Sequence, residues 1–227
     1  DVVITNPPYM AVSSGGAKLN TYVKKHYPDS KTDLFAVFIE RCKHMTKKNG
    51  YQAMITMHSW MFLSSYEKLR EKMNQFDLIS MAHLGPRAFE EIAGEVVQTT
   101  SFIARKSYHE KYIGVFCRLV DEPSQRAKEE MYLEGNNRYF ASKTDFMSIP
   151  GMPIAYWVSK QLVEAFNTGI PFAQVGRPRV GMQTSNNDKF LRLWFEVRGD
   201  EFFSDIKKWL KYIKGGAYRA VLHLLRC

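Results

Sequence analysis

The 227 residues are 45% hydrophobic and 14% aromatic, enough apolar matter to bury a core, which excludes a chain disordered throughout. No run approaches ~18 consecutive apolar residues, so no membrane span is expected. The net charge of +9 is uneven: residues 168–227 carry 11 Lys/Arg against 5 Asp/Glu, the rest 21 against 18. That bias suits a polyanion such as nucleic acid.

In chain order, Asp1–Thr5 reads as a short buried strand halted by Pro7 and Pro8. A polar loop follows to Lys31, with a short helix near Leu19–His26. Ser30-Lys-Thr-Asp33 has the spacing of a capping box and predicts a helix from about Thr32 to Lys48, closed by Lys47, Lys48 and Asn49-Gly50. Tyr51–Met57 is the next strand, so strand, helix and strand make a parallel crossover and an α/β class. A second amphipathic helix is expected over Leu63–Gln75, then strands over Leu78–Leu84 and Val96–Lys106, and an edge strand over Tyr112–Val120. Glu122–Gly151 reads as irregular apart from a short helix near Gln125–Leu133; a further helix, Ile154–Asn167, opens a new unit. The expected boundary lies near 145–155, giving domains of 1–150 and 151–227.

Cys42, Cys117 and Cys227 are far apart and odd in number, and the six histidines are scattered. This predicts neither a disulfide framework nor a metal site, and a cytoplasmic setting.

The chemistry gathers at Asn6-Pro7-Pro8-Tyr9. At the carboxyl end of a parallel strand, where α/β sheets place ligands, Asn6 offers an amide oxygen and Pro7 a carbonyl. Pro8 stiffens the pair, and Tyr9 offers a flat face. Two fixed acceptors fit an –NH₂ group on a planar ring; accepting both hydrogens draws the amine lone pair back onto nitrogen, ready to attack an electrophilic methyl group.

Asn-Pro-Pro-Tyr after a strand resembles the motif of amino-methyltransferases that use S-adenosylmethionine, above all the gamma-type adenine-N6 DNA methyltransferases. Asp33–Met73 is similar to the helix–strand–helix that follows their motif, and Ala82–Lys106 to their next hairpin. The bacteriophage-exclusion (BREX) methyltransferases are the nearest resemblance, with Thr184–Val197 similar to the entry of their DNA-recognition region.

The resemblance implies the second half of a Rossmann-like sheet, parallel with a terminal antiparallel hairpin, followed by the start of a target-recognition domain. It implies that Asn6, Pro7, Pro8 and Tyr9 hold a flipped adenine of double-stranded DNA, with Phe89 as a second stacking ring. Arg177, Arg179, Lys189 and Arg192 are DNA-contact candidates. His58-Ser59-Trp60 is a candidate wall of the cofactor or base pocket.

The cofactor is expected to be S-adenosylmethionine, yet its glycine-rich turn should precede Asn-Pro-Pro-Tyr, and Gly15-Gly16 lacks the required spacing. The tail "AVLHLLRC" also departs from the family. The chain is therefore expected to be a middle segment that methylates little alone, needing a missing N-terminal half or other defence-system subunits. Three alternatives stay open: an RNA-adenine methyltransferase, a release-factor glutamine methyltransferase, and a non-catalytic DNA-binding remnant.

Overall fold

Val2–Thr5 forms strand β1 and ends where two prolines withdraw the amide hydrogens a ladder needs. The computed structural model describes residues 1–89, 97–179, 185–198 and Trp209. After a tight turn at Val12–Gly15 come helices α1, Gly16–His26, and α2, Leu34–Met45. Strand β2 is Tyr51–Met57, α3 is Glu67–Met73, β3 is Asp77–Gly85, β4 is Thr99–Arg105 and β5 is Ile113–Arg118. Helix α4 (Gln125–Glu134), strand β6 (Arg138–Ser142) and helices α5 (Lys143–Met147) and α6 (Lys160–Thr168) follow.

The strands make one mixed sheet in the order β1-β2-β4-β3-β5-β6, as the α/β expectation requires. β1 and β2 are parallel and joined through α2; β4 runs antiparallel between β2 and β3; β5 is parallel to β3, and β6 antiparallel to β5. The β3–β4 hairpin is thus interior rather than terminal, and β5 is no edge. Arg138–Ser142 was not anticipated because five residues between polar stretches show too little alternation to stand out.

β1 is an edge strand, not a buried one. Its register with β2 puts Val2 and Ile4 on the same sheet face as Tyr51, and both β1 residues are well exposed. The opposite face is packed: Phe35 and Ile39 of α2, Leu69 of α3, Phe102 of β4 and Phe116 of β5 enter one core with Trp60 and Tyr156. A smaller cluster joins Val23 of α1 to Leu34 and Val37 of α2.

Helix α2 starts later than the capping-box spacing suggests. Asp33, not Ser30, is the cap and accepts from the Phe35 amide. The Ser30 hydroxyl is taken by buried Glu40, 2.8 Å away, so it cannot turn back onto the helix. At the other end Thr46 donates its hydroxyl to the Cys42 carbonyl, and the helix stops short of Lys48. The expected helices over Leu63–Gln75 and Ile154–Asn167 are also shorter. The first begins as a tight turn at Ser64–Tyr66. In the second, Ile154 and Tyr156 are buried in irregular chain before α6 starts.

Two compact units are present, Asp1–Pro171 and Phe172–Cys227. The break falls after the 145–155 boundary because Ile154 and Tyr156 are committed to the first unit's core. In the second unit Phe172–Val175 and Asn187–Phe190 are short helices, α7 and α8. The segment FFSDIKKWLKYIKGG, apart from Trp209, lies outside the described residues.

Candidate functional site

The sheet order sets the site. β1, β2 and β3 point the same way, so Asn6, His58 and the turn after Gly85 all leave from one edge. Asn6 is exposed, Pro7 buried, Pro8 exposed and Tyr9 half-buried. The Asn6 amide has no hydrogen-bond partner among the described residues, and the buried proline beneath it anchors the turn.

Tyr9 turns inward. Its ring meets Phe35 edge-on at 6.4 Å, and its hydroxyl is buried without a partner among the described residues. Burial pushes the phenol up to about 12, so the group stays protonated. The face left over by that packing is what a planar ligand could meet.

Phe89 is half-buried just beyond β3. Because β2 and β4 lie between β1 and β3, three strand spacings separate the two ends, roughly 14 Å. Phe89 can approach Tyr9 only through the turn it sits on. That turn begins at Gly85, whose φ of 66° and 2.8 Å clearance to Val120 leave no room for a Cβ. Residues 90–96 lie outside the described residues.

A polar chain lies between these ends, and of its members sequence reasoning reached His58 but missed His83 and Tyr156. His58, directly after β2, puts Nδ1 2.7 Å from Nε2 of His83 on β3, and Nδ1 of His83 is 3.0 Å from the Tyr156 hydroxyl. Phe62 meets His58 edge-on at 5.4 Å, and Trp157 lies 5.6 Å from Phe62. Burial, then the neighbouring His58, Arg118 and Lys128, lower His83 to about 3; burial lowers His58 as well. The signal for the missed members was His83 itself, a polar residue at a core-facing place in an apolar strand. Of the suggested pocket wall His58-Ser59-Trp60, Trp60 is fully buried, with its N–H on the Thr56 hydroxyl at 3.2 Å, while His58 and Ser59 are half-buried.

Beside Asn6 a depression of about 270 Å³ opens on β1, β2 and β4, lined by Ile4, Thr5, Asn6, Ala53, Ile55 and Ser101 among others. Its lining holds no ionisable side chain. A nucleoside bearing an amino-acid end needs partners for its ribose hydroxyls and its charges. The lining of this depression does not by itself fit S-adenosylmethionine.

Arg177, Arg179, Lys189 and Arg192 are all exposed and belong to the second unit. Arg192 donates to the carbonyls of Asp188 and Leu191, and the Lys189 ammonium lies 5.3 Å from the Phe190 ring. Among the described residues no helix is long and apolar enough to cross a membrane, and no group of three or more His, Cys, Asp or Glu is placed to hold a metal.

Residues 1–89 match the family model of the Eco57I restriction-modification methylases. The chain is 46% identical over 233 residues to the adenine-specific methyltransferase PglX of Lacticaseibacillus casei (strain Zhang), aligning 96% of itself with 19% of that protein. It is 40% identical over 225 residues to the adenine-specific methyltransferase BrxX of Escherichia coli O9:H4 (strain HS), with 96% and 18% aligned. The chain thus spans about a fifth of the length of these relatives. A solved type I restriction-modification methyltransferase subunit from Streptococcus thermophilus superposes with a TM-score of 0.44 and 16% identity, over 67% of this chain and 36% of that one. The sequence relatives bear out the resemblance to adenine-specific methyltransferases.

Proposed function

We propose that this relative of the adenine-specific methyltransferases is part of a DNA adenine-N6 methyltransferase of a phage-defence or restriction-modification system, and that it supplies the amine's half of the active site. The observation that carries the reading is the exposed, unpartnered Asn6 amide, set on a buried proline at the carboxyl end of β1.

Asn6 Oδ1 and the Pro7 carbonyl accept the two hydrogens of a flipped adenine's amino group. Hydrogen bonds of this polarity favour a tetrahedral nitrogen over a planar, conjugated one, which raises its nucleophilicity. Tyr9 lies against one ring face, and its edge-on contact with Phe35 keeps the ring in place. Phe89 closes the other face from the turn after Gly85. In the family resembled, S-adenosylmethionine is the methyl donor. Its contacts would come largely from outside the described residues.

The second unit's exposed Arg177, Arg179, Lys189 and Arg192 meet the DNA backbone, and it begins a target-recognition region. The functional boundary proposed remains near residue 150, so the compact first unit carries the catalytic half together with the first turns of the recognition segment.

Substituting this chain for the aligned segment of the Lacticaseibacillus casei relative tests the reading. Adenine methylation of unmodified genomic DNA is expected to survive the exchange, and Asn6→Ala to lower it by about 100-fold. Full activity of Asn6→Ala overturns the assignment.

A further inference from the structure

The Tyr156–His83–His58 chain has a direction. Tyr156 is 5% exposed, and among the described residues the acceptor for its hydroxyl is Nδ1 of His83 at 3.0 Å. Were His83 to donate instead, the tyrosyl hydrogen would be buried without an acceptor, the less favourable arrangement. Tyr156 therefore donates, His83 Nδ1 accepts, and the single proton of His83 sits on Nε2. That Nε2–H points at Nδ1 of His58, 2.7 Å away, so Nδ1 accepts and His58 carries its own proton on Nε2. Burial keeps both rings neutral at ordinary pH, so no second proton blurs the pattern.

Nε2 of His58 lies on the ring edge away from buried His83 and has no partner among the described residues. His58 is half-buried and follows Met57, whereas β1 ends at Thr5 opposite Met54. It therefore stands on the rim from which Asn6 projects. Phe62 meets it edge-on, and the 37% exposed Trp157 lies against Phe62 and His83.

We infer that His58 presents a neutral Nε2–H donor, its tautomer locked through His83 by Tyr156, to an acceptor atom of nucleic acid bound at the carboxyl edge of the sheet. The ligand rests on the proposed DNA methyltransferase reading; the locked tautomer does not. Base ring nitrogens, base carbonyls and phosphate oxygens share the required chemistry. The lock matters because a freely tautomerising imidazole would offer such an atom a lone pair part of the time. A neutral donor also orients a base without bringing a charge into an aromatic setting.

Long-range ¹H–¹⁵N spectroscopy of the ¹⁵N-histidine-labelled chain reads the tautomer in the unmutated protein. A protonated Nε2 and bare Nδ1 on His58 are expected; the reverse overturns the inference. Tyr156→Phe removes the hydroxyl, and His58 is then expected to shift to a tautomeric mixture. An unchanged His58 in a folded Tyr156→Phe protein overturns the lock. Titration with an adenine-containing oligonucleotide is expected to move the His58 Nε2 signal, and His58→Ala to weaken binding roughly 5-fold. An abasic phosphodiester strand of equal length that moves it equally assigns the acceptor to phosphate; no response to that strand assigns it to the base. Binding that shifts other resonances but leaves His58 still overturns this inference alone, whereas no binding of any oligonucleotide overturns the DNA reading with it.

Discussion

Asp77, at the start of β3, pairs with Lys143 of α5 at 2.8 Å, and their side chains are 1% and 6% exposed. The carboxylate also accepts from the Ser107 hydroxyl at 2.7 Å and the His109 amide at 2.9 Å, and the Lys143 ammonium sits 4.1 Å from the Tyr108 ring centre. Burial opposes ionisation of Asp77, but hydrogen bonds from Lys143, His109 and Ser107 outweigh it and hold the carboxyl well below its usual range. A depressed carboxylate adds stability above its unfolded value of about 3.9 and loses it as pH falls below that. Urea unfolding from pH 7 to pH 2 should therefore show stability falling below about pH 4. Asp77→Asn should flatten that fall and cost roughly 3–5 kcal/mol at pH 7, because Lys143 is left buried and unpaired.

Arg70 of α3 is 2% exposed and ties three backbone carbonyls that no ladder serves. It donates to Trp60 O at 2.9 Å, Leu63 O at 2.7 Å and Gly151 O at 2.6 Å. Arg70→Met should lower stability by roughly 3 kcal/mol, and Arg70→Lys should recover little, since an ammonium cannot reproduce the planar fork. Amide exchange at Ile154, whose N–H bonds Met61 O at 2.9 Å, should speed up in both variants. Undisturbed exchange there would refute the clamp.

Tyr9→Phe removes a buried hydroxyl that has no partner. Stability should hold or rise by up to about 1 kcal/mol, measured by thermal unfolding. In the exchanged methyltransferase, Tyr9→Phe should keep most activity and Tyr9→Ala should lose it, because the proposed stacking uses the ring and not the hydroxyl. Greater loss in Tyr9→Phe than in Tyr9→Ala would contradict the stacking role.

Duplex affinity of the chain should fall steeply with salt. Replacing Arg177, Arg179, Lys189 and Arg192 together by alanine should reduce the slope of log affinity against log salt by up to about 3–4. An unchanged slope in fluorescence anisotropy titrations would remove these four from the phosphate contacts.

The elements that were legible in the sequence are those written in local pattern. The β1–Asn-Pro-Pro-Tyr junction, the apolar stripe of α2 and the run Tyr51–Met57 each show within a dozen residues. Boundaries were missed where a distant side chain claimed a local partner, as Glu40 claims the Ser30 hydroxyl. The compact units part only after Pro171 for a related reason, since nothing local marks Ile154 and Tyr156 as core of the first.

By itself the sequence determined the α/β class and the two acceptors at the end of β1, because strand alternation, helix periodicity and proline act over a few bonds. Only the tertiary structure decided that β4 enters between β2 and β3, that the Tyr9 hydroxyl turns inward, and that His58 meets His83 and Asp77 meets Lys143. These pairings join residues 25 and 66 positions apart. They form because packing the sheet buries polar atoms that must then be satisfied by whatever the fold brings within reach.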